Sequence, residues 1–391
     1  MFRSWLFSLS FLAFIPAFAA IGESGTAPEF VKIHFVDGEN GWAQTLTTIL
    51  RTSDGGKTWR KLAPAGGDSA CGIAFRSSGA VFQDSETAWT AFVLDETAMV
   101  SFRRTTDGGT HWIGADFAPS RTTAMFVQSN LAFSDKQHGW LMLAPDHGMN
   151  SSPGILYRTK NGGKTWGEVA STNDRLPHGG AIFFRDASIG WLVGADTTTT
   201  ANLLSVTRDG GATWKFQKLP LPPGLPDGDL EPASLPIFFG VEKKDGILAA
   251  DCSHNSDIAA DDYAYTVIYC THDDGQTWHP TTPVKMAGVI NFINVREGWI
   301  WASDPDDYRS GHPVKGTLCN TRDGGKTWSP IKSDAGLQKC LIQGNDIVQL
   351  DFIDREHGWA VVQGENSDAR GLLQTSDGGK TWAALDASIQ P

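Results

Sequence analysis

The sequence predicts an all-β fold, a seven-bladed β-propeller with four antiparallel strands in each blade, and three observations carry that prediction. The first is a pattern close to [Ser/Thr]-x-Asp-Gly-Gly-x-Thr-Trp that occurs seven times: Thr52 to Trp59, Thr105 to Trp112, Thr159 to Trp166, Thr207 to Trp214, Thr271 to Trp278, Thr321 to Trp328 and Thr375 to Trp382. Its third positions, Asp54, Asp107, Asn161, Asp209, Asp273, Asp323 and Asp377, recur every ~50 residues, the length of a four-stranded blade. The second is an in-phase element, Phe-x-Asp-x-x-x-Gly-Trp, at Phe35 to Trp42, Phe82 to Trp89 with Ala88 in place of the Gly, Phe133 to Trp140, Phe184 to Trp191, Phe292 to Trp299 and Phe352 to Trp359. In the fifth unit it has decayed to Phe239-Gly240 followed by Gly246-Ile247. The third is the use of tryptophan: of 15, only Trp5 and Trp301 lie outside these two elements.

Each unit translates into strands A to D, because alternating apolar residues bounded by Gly, Asp and Asn read as short strands joined by tight turns. In the last unit, Ile347 to Phe352 is strand A, Trp359 to Val362 is B, Leu372 to Thr375 is C, and D begins at Trp382. The Asp-Gly-Gly turn therefore joins C to D. Its glycines can take positive φ without steric cost, and its carboxylate can accept N–H groups of its own turn. The variants respect that role: Asn161 keeps an acceptor oxygen, Asp274 occupies a Gly position, and His111 replaces a Thr. An aspartate that recurs in every unit reads as structural punctuation rather than as a catalytic group.

The chain opens Met-Phe-Arg, runs apolar from Trp5 to Phe18 and reaches Ala17-Phe18-Ala19, which reads as a cleavable signal peptide over residues 1–19. The expected mature chain, 20–391, is a single propeller domain exported to the periplasm or beyond. The apolar run is too short for a comfortable membrane span, and no later segment replaces it, so no transmembrane segment is expected. A net charge of −12 and the lack of a basic stripe argue against a nucleic-acid partner. Acidity suits basic peptides or divalent cations instead, although it also serves solubility alone. No cofactor and no metal-binding spacing is read from the sequence, and a monomer is expected.

Five cysteines follow the leader, namely Cys71, Cys252, Cys270, Cys319 and Cys340. Export permits disulfides, and Cys252 at the end of strand B faces Cys270 near the end of strand C across the loop Ser253 to Asp262, so this pair is the first expected disulfide. Cys319 with Cys340 is a weaker candidate. The odd count leaves at least one thiol unpaired or intermolecular.

Propeller topology puts A–B and C–D turns on one face and B–C loops and D-to-A connections on the other. The insertions that break the repeat fall on the second face: Ala144 to Pro153, Leu219 to Pro236, Ser253 to Asp262 and Ser303 to Lys315. Long loops of this kind are where function concentrates. The blade-five and blade-six loops carry the candidate binding residues, Asp257, Asp261 and Asp262 on one, and Asp304, Asp306, Asp307, Tyr308, Arg309 and His312 on the other. Trp301, just before the second loop, is expected to add an aromatic platform to this acidic rim. Such a rim suits a cation or a basic peptide segment, although Asp-rich loops also serve as plain solvated turns.

Asp boxes of this form also occur in sialidases and other propeller glycoside hydrolases, and that resemblance implies an arginine cluster with a Tyr–Glu pair, or two opposed carboxylates. The sialidase Arg-Ile-Pro signature has only a poor echo, Arg175-Leu176-Pro177, and the chain has just five tyrosines. Xyloglucanase-like hydrolases have similar repeats but pair two propellers. The combination seen in Phe133 to Trp140 with Thr159 to Trp166, and in Phe352 to Trp359 with Thr375 to Trp382, more closely resembles the photosystem II assembly and stability factor family of seven-bladed propellers. That resemblance covers essentially the whole mature chain and implies a non-catalytic, exported scaffold that binds a protein partner. The alternative is a sialidase-like glycoside hydrolase or a carbohydrate-binding propeller.

Overall fold

The computed structural model describes residues 29–45, 48–62, 75–94, 99–119, 126–145, 154–171, 178–195, 202–222, 228–232, 234–254, 265–303, 316–333, 337, 341, 345–364 and 367–390. These residues form seven antiparallel meanders, the blades of a β-propeller, in which strands A, B, C and D follow one another in sheet order. Blade one comprises Lys32–Phe35, Gly41–Gln44, Ile49–Thr52 and Thr58–Lys61; blade two Phe75–Phe82, Ala88–Leu94, Val100–Thr105 and Ile113–Phe117; blade three Phe126–Phe133, Gly139–Pro145, Ile155–Thr159 and Gly167–Ser171. Blade four is His178–Phe184, Gly190–Ala195, Asn202–Thr207 and Lys215–Phe216. Blade six is Ala287–Phe292, Gly298–Ser303, Gly316–Thr321 and Ser329–Pro330, and blade seven Asn345–Phe352, Gly358–Gly364, Ser367–Thr375 and Ala383–Leu385. The strands expected for the last unit are all present, most of them a few residues longer.

Blade five keeps the plan with one irregularity. Its strand A is split into Gly228–Pro232 and Ile237–Phe239, both paired with the ten-residue strand B Asp245–His254, and followed by Tyr265–Thr271 and His279–Pro280. Pro232 and Pro236 bracket the break, as expected of residues that cannot donate to a ladder. Ser234 Oγ fills part of the gap by accepting the N–H of Ala249 at 3.2 Å.

Each four-stranded blade is built from contiguous sequence, and Ser388–Gln390 adds a fifth strand to blade one, parallel to Thr58–Lys61. Nothing in the polar, short segment Ser388-Ile389-Gln390 announces a strand, because pairing is supplied by the edge it joins and not by its own pattern. The blades fall into two compact units, one taking in Ala19–Lys218 with Ala387–Pro391 and the other Leu219–Asp386.

The repeated residues explain how the blades pack. In each intact Phe-x-Asp-x-x-x-Gly-Trp element the Phe and Gly are cross-strand partners, and the ring folds over the glycine Cα: a Cβ on Gly139 would lie 2.4 Å from Phe133, and one on Gly358 would lie 2.5 Å from Phe352. In four of the blades the following Trp is buried and stacks flat on the strand-A Phe of the next blade. The pairs are Trp42–Phe82 at 5.6 Å and 7°, Trp89–Phe133 at 4.1 Å and 9°, Trp140–Phe184 at 3.6 Å and 1°, and Trp299–Phe352 at 4.0 Å and 2°. The box Trp of the same blade meets that Phe edge-on, as in Phe184–Trp214 at 6.0 Å and 79° and Phe352–Trp382 at 6.1 Å and 84°. Face-on and edge-on contacts are both favourable geometries for aromatic quadrupoles, so Phe133, Phe184 and Phe352 are each held from two directions.

Candidate functional site

The seven Asp boxes contain the most conspicuous acids in the chain, and their geometry shows what those acids do. In blade one, the Thr52 hydroxyl donates to Asp54 Oδ1 at 2.8 Å and accepts the N–H of Gly56 at 3.0 Å. The Asp54 carboxylate in turn accepts the N–H of Lys57 at 3.1 Å, the N–H of Thr58 at 2.9 Å and the Thr58 hydroxyl at 2.6 Å. Blades four, five, six and seven repeat the arrangement around Asp209, Asp273, Asp323 and Asp377. In blade three the Asn161 amide donates to Thr165 Oγ1 at 2.8 Å, reversing the direction of that bond while Oδ1 keeps its acceptor role. In blade two, His111 fills the Thr position and its ring Nδ1 lies 2.7 Å from Asp107 Oδ2. Asp274 takes φ of 65°, the left-handed conformation that the glycine at this place adopts in the other boxes.

A second set of side chains closes the A–B turns, and the sequence reading assigned it no role. Asp37 Oδ1 accepts the N–H groups of Glu39 and Asn40 at 2.8 and 2.7 Å, and Asp84, Asp135, Asp186, Asn294 and Asp354 cap their turns in the same way. These are Asx turns, legible in the Asp at the third position of the element. The two turns of each blade are tied together, because the first residue of the Gly pair donates its N–H to an A–B turn carbonyl: Gly55 to Glu39, Gly108 to Glu86, Gly162 to Gln137, Gly210 to Ser188, Asp274 to Lys244, Gly324 to Arg296 and Gly378 to Glu356. The A–B and C–D turns thus share one end of every sheet.

These bonds hold the carboxylates ionised. At Asp107 the N–H and ring of His111 and the Thr105 hydroxyl bring the carboxyl down to about 2. At Asp273 burial pushes the carboxyl up, but hydrogen bonds from Thr277, Thr271 and Gln276 outweigh it and bring it to about 2. Asp54, Asp209, Asp323 and Asp377 are held low by the same donors against the same opposing burial. A carboxyl group whose folded pKa lies below its unfolded value stabilises the fold above the unfolded pKa, and that contribution disappears as pH falls through the folded pKa. Thermal stability is therefore expected to decline from about pH 4 to about pH 2 as the boxes protonate together. Melting curves in this window test the point, and a melting temperature unchanged down to pH 2 would contradict it.

Asp257, Asp261, Asp262, Asp304, Asp306, Asp307, Tyr308, Arg309 and His312 lie outside the described residues. Trp301 is described, and the expectation of an exposed platform is corrected: it is 2 % exposed, packs with Leu318, Ile347 and Leu350, and donates its indole N–H to Asp346 Oδ1 at 2.6 Å. It shares a face of strand B with Trp299, and that face packs against blade seven, so the alternation that placed it beside the loop also buried it.

The expected Cys252–Cys270 disulfide is also corrected. Cys270 is a free thiol, and the strand register sets Cys252 opposite Tyr265 and Cys270 opposite Ile247. At ~3.4 Å per residue the two Cα atoms lie roughly 17 Å apart along the ladder, well beyond the ~7 Å reach of a disulfide. Cys319 is free and buried, which removes its pairing with Cys340, while Cys71 and Cys340 lie outside the described residues. Burial raises both described thiols above their ordinary pKa.

Fold and turns together define an Asp-box β-propeller of seven blades. No protein-family model and no curated protein sequence matches the chain. Among solved structures it is similar to one described as YCF48 bound to D1 peptide, at 17 % identity and a TM-score of 0.52, over 90 % of this chain and 92 % of that one. It is also similar to YCF48 from Cyanidioschyzon merolae, at 18 % identity and a TM-score of 0.47 over 78 % and 84 % of the two chains. A polysaccharide lyase, PL25-Ulvanlyase, follows at 10 % identity and a TM-score of 0.48 over 78 % and 81 %. The resemblance read from the repeats, to the photosystem II assembly factor type of propeller, thus has a counterpart in structure. At these identities the likeness is one of fold.

Proposed function

We propose that this chain is an exported, non-enzymatic scaffold that binds a protein partner through the blade-five and blade-six loops. The observation that carries this reading is electrostatic. Among the described residues, every carboxyl group displaced from its ordinary pKa is displaced downward. A glycoside hydrolase needs the opposite at one position, an acid kept protonated near neutral pH so that it can give its proton to the leaving oxygen. Among the described residues, the box and A–B turn aspartates are instead anchored to their own turns, which suits a scaffold that binds a partner rather than one that turns over a substrate. A propeller of similar fold carrying a bound peptide is consistent with such use.

The test is an affinity pull-down of residues 21–391 from the native envelope extract, compared with a variant whose Ser303 to Lys315 loop is replaced by a short turn. A protein partner captured by the first and lost by the second is the expected result. Equal capture by both, or no specific partner together with turnover on a sialoside or glucan panel, would overturn the reading and favour the hydrolase.

A further inference from the structure

The outer edge of blade one differs from the other outer edges in what covers it. Open sheet edges are templates for pairing, and proteins protect them by shortness, proline or a cover. Blades four, five and six have outer strands of only two residues, Lys215–Phe216, His279–Pro280 and Ser329–Pro330, the last two ending in proline. Blade one is covered instead by Ser388–Gln390, in the register Ser388 to Thr58, Ile389 to Trp59 and Gln390 to Arg60.

That cover is loosely held. All three of its residues are exposed, including Ile389 at 41 %, and the Ser388 N–H reaches the Lys57 carbonyl only at 3.3 Å. A segment with little buried apolar surface and solvent-exposed backbone bonds opens at low free energy. The edge is also charged. Lys57 and Arg60 place two cations along it in a chain whose net charge is −12, Arg60 donating to the Gly108 carbonyl at 3.1 Å, while Ser388, Ile389 and Gln390 carry no charge.

We propose that the edge Thr58–Lys61 is a strand-addition site for an extended acidic segment of a partner protein, and that Ser388–Gln390 is its displaceable cover. Main-chain pairing to the edge would supply affinity, as the cover already demonstrates in parallel register. Acidic side chains alternating with apolar ones would meet Lys57 and Arg60, with one apolar residue in the place of Ile389. This proposal does not rest on the blade-five and blade-six loops, and its test does not depend on theirs.

The probe is a fluorescein-labelled peptide, Gly-Asp-Ile-Glu-Val-Asp-Gly, with a control in which lysine replaces each acidic residue. Fluorescence anisotropy compares the full chain with a chain ending at Asp386. If the cover occupies the edge about nine-tenths of the time, its removal tightens acidic-peptide binding roughly tenfold, because the competent fraction rises to one. Lys57→Glu with Arg60→Glu in the shortened chain is expected to abolish that gain. A second pair, Thr58→Cys with Ser388→Cys, clamps the cover at a register position without shortening the chain. Oxidation of that pair should abolish peptide binding and reduction should restore it. Equal affinity of the full and shortened chains, equal affinity of the oxidised and reduced clamp, or equal binding of the lysine peptide would each overturn the proposal.

Discussion

Replacing Trp140 by alanine is expected to destabilise the protein by roughly 3–5 kcal/mol, the range for truncating a fully buried tryptophan. The indole is 0 % exposed and stacks on Phe184 of the next blade at 3.6 Å and 1°, the tightest such contact in the molecule's described residues. Its Nε1–H donates to the Gly210 carbonyl at 2.9 Å, and the Arg158 guanidinium lies over the ring at 5.3 Å. Alanine leaves the Phe184 ring without its face-on partner, the Gly210 carbonyl without its donor and a cavity between two sheets. The neighbours cannot collapse into it easily, since Phe184 is held edge-on by Trp214 and Met142 and Leu192 are already buried beside it. Trp140→Phe should recover a good part of the loss by restoring the stack without the hydrogen bond. Urea unfolding of the three proteins measures this, and a loss under about 1 kcal/mol for the alanine variant would show that the stacks do not carry the packing between blades.

Gly163→Ala should cost roughly 2–5 kcal/mol, far more than one methyl group suggests. Gly163 is the second glycine of the blade-three box, with φ of 90°, and a Cβ there would sit 2.0 Å from the Phe102 ring of blade two. The left-handed backbone costs about 1–2 kcal/mol for a residue with a Cβ. Forcing the ring aside adds about 1–3 kcal/mol, because Phe102 is itself buried and packed edge-on against Trp166 at 5.0 Å and 70°. Gly167→Ala is the matched control, with no heavy atom within 4 Å of its Cβ position, and should shift stability by no more than about 0.5 kcal/mol. Equal effects at the two positions would mean that the box glycine is not a conformational requirement.

The repeats made most of this architecture legible before any coordinates. Asp54 and its six counterparts occur in one context seven times, so the turn they close, its position between strands C and D and its structural role could be read from the pattern alone. The loops proposed to bind a partner had no such redundancy. Asp304 or His312 occurs in one loop of one blade, and a single occurrence does not distinguish a ligand-binding group from a solvated turn. Trp301 was misread because period-two alternation assigns a face but not an exposure, and both faces of a propeller sheet pack against neighbours. The Cys252–Cys270 pairing failed on register: the loop length brings the strand ends together, but Cys270 lies at the far end of its strand, five ladder positions from Cys252. The C-terminal strand left no trace in the sequence, since three residues acquire their conformation from the edge that receives them.

The most direct test of the division between structural acids and binding loops is the partner yield of a variant in which Asp54, Asp209, Asp323 and Asp377 are all replaced by asparagine, following the Asn161 that blade three already uses. Capture from envelope extract is measured beside the wild-type protein at neutral pH, with melting curves confirming that the variant is folded. Undiminished capture by the folded variant is the predicted result. Loss of capture without loss of fold would place the box carboxylates in the binding function and contradict the scaffold reading.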